Sequence, residues 1–127
     1  MHENEVARLI VDAAYKVHTA LGPGLLESVY EEVLAYELRK RDLKVLRQEP
    51  IPLVYESIHL ELAFVADLIV ENSVVVELKS VEKMAPVHKK QLLTYLRLAD
   101  KRLGLLINFG ETLIKTGISR VVNGLED

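Results

Sequence analysis

Three residues interrupt the apolar runs in which they stand. Asp67 breaks the stretch from Ala63 to Val70, and Glu77 and Lys79 break the stretch that opens with Val74-Val75-Val76. An unpaired charge on a buried strand costs several kcal/mol, so such residues are seldom kept without a role. The chain has no cysteine, so any metal must be held by carboxylate, carbonyl or imidazole groups, and an oxygen-rich site of this kind suits Mg²⁺ or Mn²⁺. A divalent ion between two acids can lower the pKa of a bound water, clamp a phosphoryl oxygen and stabilise the leaving oxygen of an in-line displacement. An amine beside it can orient or deprotonate the water, or offset charge on phosphorus. The chemistry so assembled is phosphodiester hydrolysis. A structural ion pair of Lys79 with Glu77 or Asp67 on a partly wet sheet face is the plainer reading, and for a pattern this short taken alone it is the better one.

Bringing these residues together requires a hairpin. Glu71-Asn72-Ser73 has the composition of a tight turn, with Ile58 to Val70 as a long strand or bent pair before it and Val74 to Lys79 as a strand after it. Antiparallel pairing about that turn sets Asp67 directly or almost directly opposite Glu77, with Cβ atoms about 5 Å apart. At that distance one acid holds its proton unless a cation intervenes. Lys79, two positions on, shares the side of Glu77. Three consecutive valines, Val74 to Val76, predict a strand buried on both faces in mid-sheet.

Helices must cover that sheet. Asn4 to Leu21 carries Val6, Leu9, Ile10, Ala13, Ala14, Val17 and Leu21 at helical spacing and stops at Gly22-Pro23. A second helix starts after Gly24 with Leu26, Val29, Tyr30, Val33, Leu34 and Leu38 on one stripe. The two should pack together or jointly cover one sheet face. Pro50 and Pro52 confine the stretch after Lys44 to a strand edge or turn. Pro86 suits the first turn of a third helix ending near Ala99. Leu103 to Phe109 reads as a buried strand and Leu113 to Val121 as a weaker one. On the third helix Gln91 and Tyr95 lie one turn apart, which alone is more often a surface pair than a site.

At 127 residues the chain has the length of one domain, 1–127, with one real core. Half of the residues are hydrophobic and 28% charged, the balance of a globular protein. No apolar run approaches the roughly 18 residues of a membrane span, and the first residues are polar, so the expectation is no membrane and a cytoplasmic location. The net charge of −3 does not favour a nucleic-acid binder. Two local basic clusters stand against that average, Arg39, Lys40, Arg41, Lys44 and Arg47, and Lys83, His88, Lys89, Lys90 and Arg97. Each is a phosphate-contacting edge or a solvated face.

Together these pieces resemble the PD-(D/E)XK nuclease superfamily, and within it the small GxxExxY proteins. Gly24, Glu27 and Tyr30 meet the name-giving motif, Asp67 matches the metal-binding acid, Glu77-Leu78-Lys79 the acid-x-lysine, and Gln91 with Tyr95 the helical glutamine and tyrosine. The resemblance runs from the first helix to Gly110. It implies an α/β fold with a restriction-endonuclease-like core, a central mixed β-sheet flanked by helices. It further implies that Asp67 and Glu77 hold Mg²⁺ or Mn²⁺, that Glu27 and the carbonyl of Leu78 are further ligands, and that Gln91 and Tyr95 border the scissile phosphate. Ala66 replaces the proline that precedes the metal acid in the superfamily pattern, which leaves the ligand set intact.

The leading expectation is a metal-dependent nuclease acting on DNA, with homodimerisation or a partner protein supplying what so small a domain lacks. A catalytically idle member of the fold that binds nucleic acid or protein is the runner-up, motivated by the acidic balance and the minimal size. A small-molecule nucleotide phosphohydrolase is the third, because the same site would serve it.

Overall fold

The structure, a computed structural model, describes residues 1–126. Helix α1 (Glu3–Leu21) and helix α2 (Glu27–Lys40) are followed by strands β1 (Val45–Tyr55), β2 (Ile58–Val70) and β3 (Val74–Lys79), helix α3 (Val87–Ala99), strand β4 (Leu103–Asn108), the single-turn helix α4 (Ile114–Gly117) and strand β5 (Ile118–Val122). The strands form one sheet in the order β1-β2-β3-β4-β5, antiparallel throughout except for the parallel pair β3–β4. The parallel step follows from chain order, since α3 carries the chain back to the starting end of the sheet before β4 begins. A mixed sheet flanked by helices is therefore the architecture.

Two layers of core lie on the two faces. Against α1 and α2 pack Leu68, Val70, Val74, Val76, Leu78, Leu105 and Ile107; against α3 pack Ile51, Ala66, Ile69, Val75 and Leu106. The alternation of β3 between the two clusters makes it the central strand its valines predict. β1, carrying Pro50 and Pro52, lies at the sheet edge, where a missing N–H costs nothing to a neighbour. Gly22 and Gly24, at φ +73° and +101°, adopt the left-handed backbone that turns α1 into α2. The Tyr30 hydroxyl closes that turn by donating to the Gly22 carbonyl and accepting from the Leu25 N–H, while its ring stacks on Phe109 with centroids 4.5 Å apart.

One expectation is corrected. Leu113 to Val121 is not a strand throughout: residues 114–117 make a helical turn and only Ile118–Val122 pairs with β4. The Leu113 carbonyl accepts from both the backbone N–H and the hydroxyl of Thr116, and Ile114 is buried, so local bonding and core filling outweigh a weak strand pattern.

Candidate active site

The site forms where the β2–β3 ladder opens. Pairing runs from Val70↔Val74 at the turn to Leu68↔Val76. One step on, Asp67 faces Glu77, and side chains take over from backbone: the Asp67 N–H donates to Glu77 Oε2 at 2.9 Å, and the Leu78 N–H donates to Asp67 Oδ2 at 2.8 Å. The β1 side opens at the same level. Arg47 pairs with Leu68 and Glu49 with Ala66, while Gln48 between them sits at φ +50° and does not pair with Asp67, although the register on either side is the same. A left-handed residue other than glycine costs about 1–3 kcal/mol. The face alternation of β2 also breaks here, since Phe64, Ala66 and Ile69 pack towards α3 and Leu68 and Val70 towards α1 and α2. Asp67 is thereby lifted out of the ladder on both edges.

Glu77 is 9% exposed, on the same strand face as Val75 beneath α3. Burial, reinforced by the Asp67 charge, pushes its carboxyl up to about 8, against the opposing pull of the Asp67 N–H and the Lys79 ammonium. Lys79, half-buried, is on the same side of β3. Tyr95 reaches the group from α3: its ring stacks on Phe64 with centroids 3.9 Å apart, and burial together with the charges of Glu77 and Asp67 raises its phenol above the usual range. Asp67, Glu77, Lys79 and Tyr95 are thus brought into one electrostatic neighbourhood. Gln91, one turn before Tyr95, is exposed and has no side-chain partner among the described residues.

The opposite flank of Asp67 faces α2 across a cavity of about 370 Å³ lined by Glu27, Ser28, Glu31, Gln48, Asp67 and Leu78. Leu78 and the exposed Glu27 are therefore at the site's wall. Glu31 was not singled out by sequence reasoning. Its carboxylate is buried, accepts two bonds from the Arg47 guanidinium at 3.2 and 3.0 Å, and accepts the Gln48 side-chain amide at 2.5 Å; the same amide lies 3.4 Å from Asp67 Oδ1. The available signal was spacing, because Glu27 and Glu31 are i,i+4 neighbours on one helix face. Gln48 carried no signal, since its residue type does not announce a positive φ.

The donor set fits a hard cation. Burial and the facing Asp67 charge hold the Glu77 carboxyl towards its neutral form, and a bound cation is what would offset both. Among the described residues no three acidic or imidazole side chains gather round one point, so a backbone carbonyl, waters and substrate oxygens would complete the shell, as Mg²⁺ commonly has them do. The two basic clusters differ. In the first, Arg41 pairs with Glu37, Arg47 with Glu31, and Arg39 donates to the Val45 carbonyl. In the second, Lys89, Lys90 and Arg97 stand exposed on α3 with no acidic partner among the described residues.

A model of the PD-(D/E)XK nuclease superfamily matches residues 4–121. The chain belongs to this superfamily. The matched span takes in every candidate residue from Gly24 to Tyr95. No curated protein and no solved structure matches the chain. No helix is long and apolar enough to cross a membrane, among the described residues.

Proposed function

We propose that this PD-(D/E)XK domain is a Mg²⁺- or Mn²⁺-dependent nuclease that hydrolyses phosphodiester bonds in DNA, that it is a GxxExxY-type member of the superfamily, and that it works as one domain over residues 1–127 in the cytoplasm. The observation that carries the reading is the pair of side-chain hydrogen bonds that replaces the opened ladder, from the Asp67 N–H to the Glu77 carboxylate and from the Leu78 N–H to the Asp67 carboxylate, with Lys79 beside them. It holds two acids against each other at an energetic cost that an ion pair for stability alone would not require. Asp67, Glu77 and the Leu78 carbonyl would hold the metal, with Glu27 at the far wall, and the bound ion would supply Lewis-acid charge and an acidified water. Lys79 orients that water or offsets charge on phosphorus. Tyr95 borders the scissile phosphate, with Gln91 reaching in from the exposed turn before it. The unpartnered cations on α3 give the nucleic-acid backbone a landing edge. DNA rather than RNA rests on the resemblance carried by Gln91 and Tyr95, because superfamily nucleases that share this helical glutamine motif act largely on DNA.

One observation favours a second reading, an idle member that binds nucleic acid or protein. The Gln48 amide already bridges Glu31 and Asp67, which makes a self-satisfied polar network without an ion. Incubating the protein with labelled single-stranded, duplex and flapped DNA and RNA, in Mg²⁺, Mn²⁺ or chelator, separates the two. Metal-dependent cleavage reduced at least about 10²-fold by Lys79→Ala is expected. Cleavage in chelator, or cleavage untouched by the substitution, contradicts the nuclease site, and binding without turnover selects the idle member.

A further inference from the structure

β1 and β2 run on beyond the rest of the sheet. β3 pairs with β2 at Leu68 to Val70, so from Ile58 to Ala66 strand β2 has β1 as its sole partner among the described residues. A two-stranded ribbon is marginally stable in water unless something packs on it. One of its faces is a continuation of the core under α3. Ile51 lies opposite Phe64 within or against that core; a register shift of two residues between Ile51 and Leu53 keeps the side-chain alternation in phase, so the same face continues outward through Leu62 and the cross-strand pairs Leu53↔Leu60 and Tyr55↔Ile58. There the helix no longer covers it. Tyr55 is 63% exposed, Ile58 54% and Leu60 48%.

Charge narrows the occupant. Between Ile51 and Val65 the formally charged residues are Glu56 and Glu61, with His59 the only other titratable group besides Tyr55, so the ribbon offers nothing to phosphates or to an anionic membrane surface. Glu61 and His59 alternate away from Leu60 and Ile58, so the apolar face itself carries no charge. Two such faces can meet without bringing like charges together, stacking as sheets do at about 10 Å. A half-open aromatic or large aliphatic side chain shows on the order of 100 Å². Tyr55, Ile58, Leu60 and Leu62, the last 58% exposed, with the half-buried Leu53 beside them, would remove roughly 1,000 Å² over the two copies, at the lower end for a specific interface.

We propose that the apolar face of the β1–β2 ribbon is a homodimer interface, packed against the same face of a second copy of this chain. The dimer places two candidate sites on one particle, and it stands or falls independently of whether those sites cleave. The chain has no cysteine, which makes the test clean. Sedimentation of the wild-type protein should show a concentration-dependent dimer, and the double variant Ile58→Ser, Leu60→Ser should be monomeric while keeping the wild-type circular-dichroism spectrum and a cooperative melt. Under mild oxidation Ile58→Cys or Leu60→Cys should cross-link to itself, whereas Val54→Cys, equally exposed on the opposite face, should not. A wild-type protein monomeric at every concentration overturns the proposal. So does a dimer that survives the serine pair, or cross-linking by the Val54 variant alone.

Discussion

The two edges of β3 are treated in opposite ways. Towards β4 the ladder is complete, six parallel steps from Val74↔Leu103 to Lys79↔Asn108. Beyond it the chain is pinned. Asn108, fully buried, accepts from the Val81 and Gly110 N–H groups and donates to the Val81 carbonyl, and Gly110 packs so close to Val81 that a Cβ would stand 2.2 Å from its carbonyl oxygen. Towards β2 the ladder lasts three steps and then yields to carboxylates. A reactive group needs both treatments: backbone freed from pairing to present side chains, and a rigid brace behind it to hold them at one geometry.

That contrast predicts a separation of effects. On the braced edge, Asn108→Ala leaves three part-buried backbone groups without their protein partner and should cost about 3 kcal/mol, lowering Tm by about 10 °C. On the open edge, Asp67→Asn retains an acceptor for the Leu78 N–H and relieves the repulsion with Glu77, so its Tm should stay within a few degrees of wild type while cleavage is lost. Thermal melts of the two proteins side by side check this. Equal destabilisation would mean that the acids are structural.

A smaller effect sharpens the open edge. The Gln48 amide lies against Asp67 Oδ1, an oxygen a cation would also claim, but at 3.4 Å the contact is weak. Gln48→Ala should therefore tighten Mn²⁺ binding by only roughly threefold. Weaker binding in the variant would show instead that Gln48 positions Asp67.

Much of this was legible in sequence. Counting back from the Glu71-Asn72-Ser73 turn places Asp67 across from Glu77, because side-chain period and hairpin register leave little freedom; Glu71 and Asn72 do take up the left-handed turn conformation, at φ +53° and +52°. Three valines on β3 and two prolines on β1 announce centre and edge. What could not be read was conformation independent of residue type. Nothing marks Gln48 as left-handed, and nothing in a period-two pattern tells which part of β2 lacks a second partner, so both the lifting of Asp67 and the bare ribbon emerge only in three dimensions. Glu31 lay hidden because the motif names Glu27, although the next turn of the same helix carries the acid that is buried and bonded.

The claim that Asp67 and Glu77 form one cation site is tested most directly by titrating Mn²⁺ into the wild-type, Asp67→Asn and Glu77→Gln proteins by calorimetry, in the absence of nucleic acid. Saturable binding in the wild type, weakened at least about tenfold by each substitution, is the expected result. Wild-type affinity preserved in both variants, or no binding in any of the three, would contradict it.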